Sequence, residues 1–269
     1  PIVASEGVTG DLTGNAVTAT ILETSRTIGG VAFNGSADID LPGMLYGKIL
    51  RSPHAHAKIL SINTKKAEAI PGVKSVATAN DFPLLTNAGI DFSQVQRNPR
   101  MIAENTLAKN KVLYIGHAIA AVAANNPAIA EEAHKAIEVE YEILPAVIDV
   151  QEAMAENAPL LDETRTTREL GKSTGRVSNI ATINESAMGD LEKGFSEADH
   201  IVEHEFKTAT VHQGYIEPHN TTVWWKNDGT ITVWVSTQGP FEIRSQVSEV
   251  LNVPAVSYTH LRAHETDSI

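Results

Sequence analysis

Two runs of alternating side chains stand out in the C-terminal half of the chain. Thr221 to Lys226 and Thr230 to Ser236 set Val, Ile and Trp against Thr at a period of two, the spacing of a strand. Asn227-Asp228-Gly229 between them tolerates positive φ, so the pattern predicts a hairpin. Upstream, Leu191 to Ala198 reads as a helix opened by Gly189-Asp190, and His200 to Thr208 as a strand of alternating Ile, Glu and Phe. Downstream, Phe241 to Leu251 places Phe241, Val247, Val250 and Leu251 near one helical face and stops at Asn252 before Pro254, after which the rhythm calls for a strand.

The first half alternates strands with short helices. Leu41-Pro42-Gly43 is a turn, Met44 to Leu50 a strand, Lys65 to Ala69 a helix stopped by Pro71-Gly72, and Val73 to Thr78 a strand. Leu84 to Asn110 reads as a long polar connection of the kind that carries function or meets a partner. The uncharged run Val112 to Ala130 is interrupted by His117, Asn125, Asn126 and Pro127, which argues against a membrane span. It divides into a strand, a break at Gly116-His117, a second strand, and a helix to Ala136 with Asn126 as cap and Pro127 at its first position. Ile137 to Ile143 is a half-exposed strand, and Asp149 caps a last short helix. The expected organisation is a first domain at 1–155, with weak strands and loops over Pro1 to Ser36, a linker at 156–188 marked by polar Glu163 to Glu185, and a second domain at 189–256. Residues 257–269, SYTHLRAHETDSI, carry neither strand nor helix periodicity and resemble translated adapter sequence, so they are expected to be a non-native tail outside the fold.

Composition narrows the function. A chain of 269 residues with 42% hydrophobic and 20% charged residues can build a sizeable core, and its net charge of −12 argues against a nucleic-acid partner. Cysteine is absent, so any iron–sulfur cluster must sit on another chain. No signal peptide is visible, which points to a cytoplasmic location, although a chain starting at Pro1 without Met is expected to have lost its true start, with or without a leader.

Candidate chemistry gathers around the hairpin: His212, Gln213, Glu217 and His219 precede it, and Ser236-Thr237-Gln238-Gly239-Pro240 closes its second strand. His212 and His219 do not form a zinc-protease HExxH motif, and Glu217 is better read as a structural hydrogen-bonding residue than as a base. Trp224, Trp225 and Trp234 suit core or subunit contacts better than a stacking platform. His54 and His56 have a spacing that could ligate a metal, but no further ligands are evident, and hydrogen-bonded histidines at a strand end are the favoured reading.

Several ordered blocks carry a resemblance: LPGMLYGKILRSPHAHAKI, KAEAIPGV, KVLYIGHAIAAVAA, AIEVEYEILPAV, IEPHNTTVWW and VWVSTQGP. Over about Leu41 to Val256 the chain resembles the molybdenum-binding large subunit of the xanthine dehydrogenase, aldehyde oxidase and carbon monoxide dehydrogenase family. The resemblance implies an α+β fold of mixed α/β type, with an α/β hammerhead domain followed by the start of a molybdopterin-binding domain. It implies oxidative hydroxylation of an aldehyde or heteroaromatic substrate, or CO oxidation, with water-derived oxygen. It implies a molybdopterin cofactor, with molybdopterin cytosine dinucleotide as the expected form, and iron–sulfur clusters and FAD on partner subunits. Gln238 matches the family's glutamine whose amide approaches the metal's oxo ligand, where an N–H donor adds no charge. The family's Gly-Gly-Phe-Gly segment and catalytic glutamate are not found, so no catalytic residue is assigned and the chain is expected to be an N-terminal fragment, inactive alone. A non-catalytic module that assembles the iron–sulfur and flavin subunits without binding the cofactor is the competing reading. A small-ligand or metal-binding protein using His54 and His56 is a distant third.

Overall fold

The structure, a computed structural model, describes residues 26–28, 31–33, 43–83, 91–92, 95–96, 99–212, 214, 219–237, 239–255 and 258–262. The first region contains β1 (Arg26–Ile28), β2 (Val31–Phe33), β3 (Tyr46–Arg51), β4 (Ala57–Asn63), α1 (Lys65–Glu68), β5 (Val73–Thr78), β6 (Asp91–Phe92), β7 (Val95–Gln96), α2 (Pro99–Thr106), β8 (Lys111–Val112), β9 (Ala118–Ala124), α3 (Pro127–Ala136) and β10 (Glu138–Ile143). Strands β1–β2 and β6–β7 form two ribbons.

Strand β9 organises this region. Its sequence AIAAVAA lacks the polar residues that would mark a solvent face, and it runs between β3 and β5, antiparallel to both. On one side Ala120 and Val122 pack with Ala67, Ala133 and Ile137, and Leu50 and Val76 complete the layer under α1 and α3. Alanines on both helix and strand let α3 approach closely, which larger side chains would prevent. Ile119 joins Ala57, Ala108 and Val112, against which Ile59 and Tyr141 pack from the second antiparallel sheet, β10-β4-β8. Helix α3 starts as its sequence requires: Oδ1 of Asn126 accepts the N–H of Ile129 at 2.8 Å, and Pro127 takes a first-turn position where no N–H is needed. Along β10, Glu142 pairs with Lys58, Glu140 accepts from Ser61, and Glu138 accepts from Asn63 and Lys66. These groups are exposed and hold register more than they stabilise.

The second region contains α4 (Val150–Met154), β11 (Thr166–Glu169), β12 (Lys172–Val177), β13 (Thr182–Ile183), α5 (Leu191–Ser196), β14 (Thr221–Trp225), β15 (Ile231–Val235), α6 (Pro240–Leu251) and β16 (Tyr258–Arg262). Asp149 and Asp190 cap α4 and α5.

Four expectations are corrected. Residues 166–183, expected as structureless polar linker, carry a three-stranded sheet, β12-β11-β13. Hydroxyl pairs reinforce it, Thr166 with Ser173 and Thr167 with Ser178, each at 2.6 Å, and such pairs leave no apolar period in the sequence. The connection over 84–110 contains α2. Residues 200–208 form no strand: Ile201, Val202 and Phe206 stand exposed, because alternation alone does not make a strand without a neighbour to complete the ladder. Finally, residues 258–262, expected to lie outside the fold, form β16, paired parallel to β15 from Ile231↔Tyr258 to Val235↔Arg262.

Candidate functional site

The hairpin forms as its sequence dictates. Strands β14 and β15 pair from Thr221↔Val235 to Trp225↔Ile231, and Asn227-Asp228-Gly229 closes the turn with Gly229 at φ +85°. The Gly229 N–H donates to the Lys226 carbonyl at 3.0 Å and the Lys226 N–H to the Thr230 carbonyl at 2.9 Å. Asp228 accepts from both the N–H and the hydroxyl of Thr230, and these bonds hold its carboxyl below the ordinary range.

Strand β15 is central in the sheet β14-β15-β16, with Ile231, Thr232 and Val233 all buried. Ile231 and Val233 pack against Val247 of α6 and Val253 beyond it. Because β15 and β16 run parallel, α6 is the crossover that joins them. The turn from β15 into α6 therefore lies at the carboxyl end of the central strand, which is antiparallel to β14 and parallel to β16, and at a helix N-terminus, where backbone N–H groups favour anionic ligands.

The residues on either side of this turn are defined. The N–H of Gly239 donates to Oγ1 of Thr237 at 3.0 Å, and Gly239 is the N-cap of α6 with no side chain capping the helix. A Cβ on Gly239 would meet the Cβ of Glu242 at 3.3 Å, so the turn is tight. At the far end Asn252 adopts φ +53°, Ser248 Oγ donates to the Val253 carbonyl at 2.6 Å, and Arg244 donates twice to the Ala255 carbonyl, guiding the chain into β16.

Gln238, the predicted cofactor contact, lies outside the described residues, as do Gln213 and Glu217; its neighbours Thr237 and Gly239 place it in sequence at the β15–α6 turn. The Nδ1 of His212 accepts from the Gly214 N–H at 3.0 Å. Of the tryptophans, Trp224 and Trp225 are exposed on edge strand β14, with Lys226 Nζ 5.0 Å from the Trp224 ring centroid, and Trp234 is half-buried.

His54 and His56 are used separately. The His54 ring meets Tyr141 edge-on at 4.8 Å, and the His54 backbone N–H donates to Oγ of Ser52. His56 is buried, with Nδ1 2.7 Å from the Pro145 carbonyl. Burial raises the Tyr141 phenol, against a hydrogen bond with Ser52 that lowers it. Among the described residues no three His, Asp or Glu side chains converge as a metal site. A cleft lined by Met154, Leu160, Arg176 and Asn179 shares no residue with the β15–α6 turn.

One polar residue was read in the sequence only as a strand break. His117 is 1% exposed; its Nδ1 accepts the Leu113 N–H at 3.2 Å and its Nε2 lies 3.0 Å from the Glu104 carbonyl. A backbone N–H on one nitrogen and a carbonyl on the other fix the neutral tautomer with its proton on Nε2. Burial pushes its pKa down, opposed by bonds to the Glu104 and Asn105 backbone. The signal that could have found its partner helix is Asn98-Pro99 followed by Arg100 and Glu104 at i,i+4, which pair at 2.8 Å.

Two family models match the chain: the aldehyde oxidase and xanthine dehydrogenase a/b hammerhead domain over residues 34–145, and the molybdopterin cofactor-binding domain over 174–260. The nicotinate dehydrogenase large molybdopterin subunit of Eubacterium barkeri is 32% identical over 81% of the chain and 46% of its own length. The carbon monoxide dehydrogenase large chain of Afipia carboxidovorans is 34% identical over 81% of the chain and 26% of its own length. Among solved structures, reconstituted CO dehydrogenase from Oligotropha carboxidovorans superposes with a TM-score of 0.65 at 30% identity, covering 83% of this chain and 27% of that one. The chain thus spans about a quarter to just under half the length of these relatives. Among the described residues no helix is long and apolar enough to cross a membrane.

Proposed function

Because the chain belongs to the aldehyde oxidase and xanthine dehydrogenase family, with hammerhead and molybdopterin-binding regions in order, we propose that it works as part of the large subunit of a molybdenum hydroxylase. The reaction is oxidative hydroxylation of an aldehyde or heteroaromatic carbon, or oxidation of CO. When bound, the molybdenum–pterin cofactor supplies the oxygen-transfer and two-electron redox chemistry. The reading extends to the cytosine dinucleotide form of the cofactor, to iron–sulfur and FAD-binding partner subunits, and to a cytoplasmic location. It also takes the domain division as a hammerhead within 1–155 and a cofactor-binding part within 189–256.

The β15–α6 turn carries this reading. Its residues fit one side of an oxygen-rich cofactor: the helix has no side-chain cap, its N-cap is a glycine, and the crossover places the turn at a strand's carboxyl end, while the Glu242 carboxylate of the first turn opposes negative charge there. In this reading Gln238 donates its amide N–H toward a cofactor oxygen without adding charge, aimed by the rigid central strand before it. The expected result of Gln238→Ala in the intact, partnered enzyme is unchanged molybdenum content with the rate of metal reduction by substrate down about a hundredfold, the loss of one preorganised donor. An unchanged rate at full occupancy overturns the assignment.

A second reading, an assembly module for the partner subunits, draws support from the apolar residues left exposed from the end of β10 through α4. Ile143, Ile148, Val150 and Met154 are 54–92% exposed along one segment. Metal content of the intact subunit separates the two readings, because a pure assembly module carries none.

A further inference from the structure

We propose that His117 is a positioning residue for the β15–α6 turn, acting through helix α2. The path is built of contacts. His117 accepts the Leu113 N–H at Nδ1 and donates from Nε2 to the Glu104 carbonyl, one of the last carbonyls of α2, which the helix itself does not satisfy. Just beyond, the Leu107 N–H donates to the Ala103 carbonyl, the Ala108 N–H donates to the Ala118 carbonyl of β9, and Leu107 is buried with Ala79 and Ala118. The C-terminal turn of α2 is therefore locked to the central strand of the first region. Helix α2 in turn packs against α6, across the boundary between the two regions, and α6 opens at Gly239, directly after Gln238.

This arrangement gives His117 an effect beyond its own surroundings. A helix eight residues long has little stability of its own and takes its position from its fixed end and from what it packs on. With the His117 clamp in place, α2 is a rigid strut under α6. Without it, the Glu104 carbonyl and the Leu113 N–H lose their buried partner, the C-terminal turn loosens, and α6 loses a support. The inference rests on the reading that the start of α6 faces the cofactor, and it adds a residue of the hammerhead region to the set that aims Gln238.

The coupling is measurable on the 269-residue chain itself, without cofactor, by amide hydrogen exchange. His117→Leu removes both hydrogen bonds and keeps similar volume. The expected result is exchange about three- to tenfold faster in 99–107 and also in 239–251, the effect of losing about one net hydrogen bond, with the β11–β13 amides unchanged. His117→Gln, whose amide again offers a donor and an acceptor, is expected to return both segments toward wild type. Faster exchange in 99–107 with 239–251 unchanged overturns the proposal and leaves His117 a local cap. If His117→Leu does not fold, the reverse perturbation decides: Val250→Ala, at a buried position of α6, must speed exchange in 99–107, and unchanged α2 exchange overturns the proposal. The two readings fail separately. No effect of Gln238→Ala in the intact enzyme removes the cofactor contact and leaves the coupling standing, whereas unchanged α6 exchange removes the coupling and leaves the cofactor contact untouched.

Discussion

Replacing Asn179 by Ala tests whether residues 163–185 form a folded unit. Asn179 follows β12, and its half-buried side chain makes three bonds: Oδ1 accepts the Leu161 N–H at 2.9 Å, and Nδ2 donates to the carbonyls of Ala153 and Pro159, each at 3.0 Å. It thus ties the end of α4 and the following loop to the sheet. Each bond contributes about 0.5 to 1.5 kcal/mol net, and water can replace part of each at a half-exposed site, so the expected loss is about 1.5 to 2.5 kcal/mol. Asn179→Asp should lose at least as much, since it keeps the acceptor for Leu161 but turns a carboxylate oxygen toward two carbonyls. Tryptophan fluorescence is the wrong probe, because all three Trp residues lie between 224 and 234. Amide exchange over 166–183 reports directly, and the expected loss corresponds to exchange faster by about ten- to seventyfold. A change of less than about threefold would refute the reasoning, and a change confined to Leu161 would show a local staple with no bearing on the sheet.

Two further outcomes follow from other contacts. Glu131 bonds Lys135 and Lys48, and these bonds hold its carboxyl at about 2 against an ordinary 4.5. A depressed carboxyl stabilises the fold above its unfolded value and loses that contribution as pH falls, so the stability difference between wild type and Glu131→Gln should shrink from pH 4.5 to about 2; a constant difference in acid titrations of the two proteins contradicts it. Removing residues 258–269 takes away β16 and should lower the thermal midpoint by several degrees (a 1 kcal/mol loss is about 2–4 °C at this size); an unchanged midpoint would show that β16 adds nothing to β15.

What was legible in the sequence follows from where the physical cause lies along the chain. The β14–β15 hairpin, β9, and α3 with its Asn126-Pro127 start were legible because pattern and punctuation sit within a few residues of each other. The β11–β13 sheet was not, because its backbone ladders are reinforced by Thr and Ser hydroxyl pairs in place of apolar packing, and a run such as KSTGRV has no apolar face to announce it. The opposite error at 200–208 has the same root. Alternating Ile, Glu and Phe describe a segment that could form a strand, but the ladder bonds come from a neighbour, and among the described residues 199–212 pairs with none. The strand expected after Pro254 could not be placed at 258–262 because that run has no apolar period of its own, and a parallel partner arrives through a crossover and not through a local turn.

The same distinction separates the site residues. Gln238 could be proposed because the resemblance that singles it out is carried by its neighbours in sequence, Ser236-Thr237 before it and Gly239-Pro240 after it, and these neighbours lie between the end of β15 and the start of α6. His117 carries no such local mark. Its two partners, Leu113 and Glu104, lie four and thirteen residues upstream, and nothing in the spacing reveals that one imidazole satisfies both a turn N–H and a helix-end carbonyl. Both bonds offset the cost of burying that ring, since a ring nitrogen left unsatisfied at 1% exposure costs about 1 to 3 kcal/mol. A histidine in an apolar run is therefore a sign that some backbone elsewhere needs a partner. Here that backbone is the end of α2, which packs on the helix that follows Gln238.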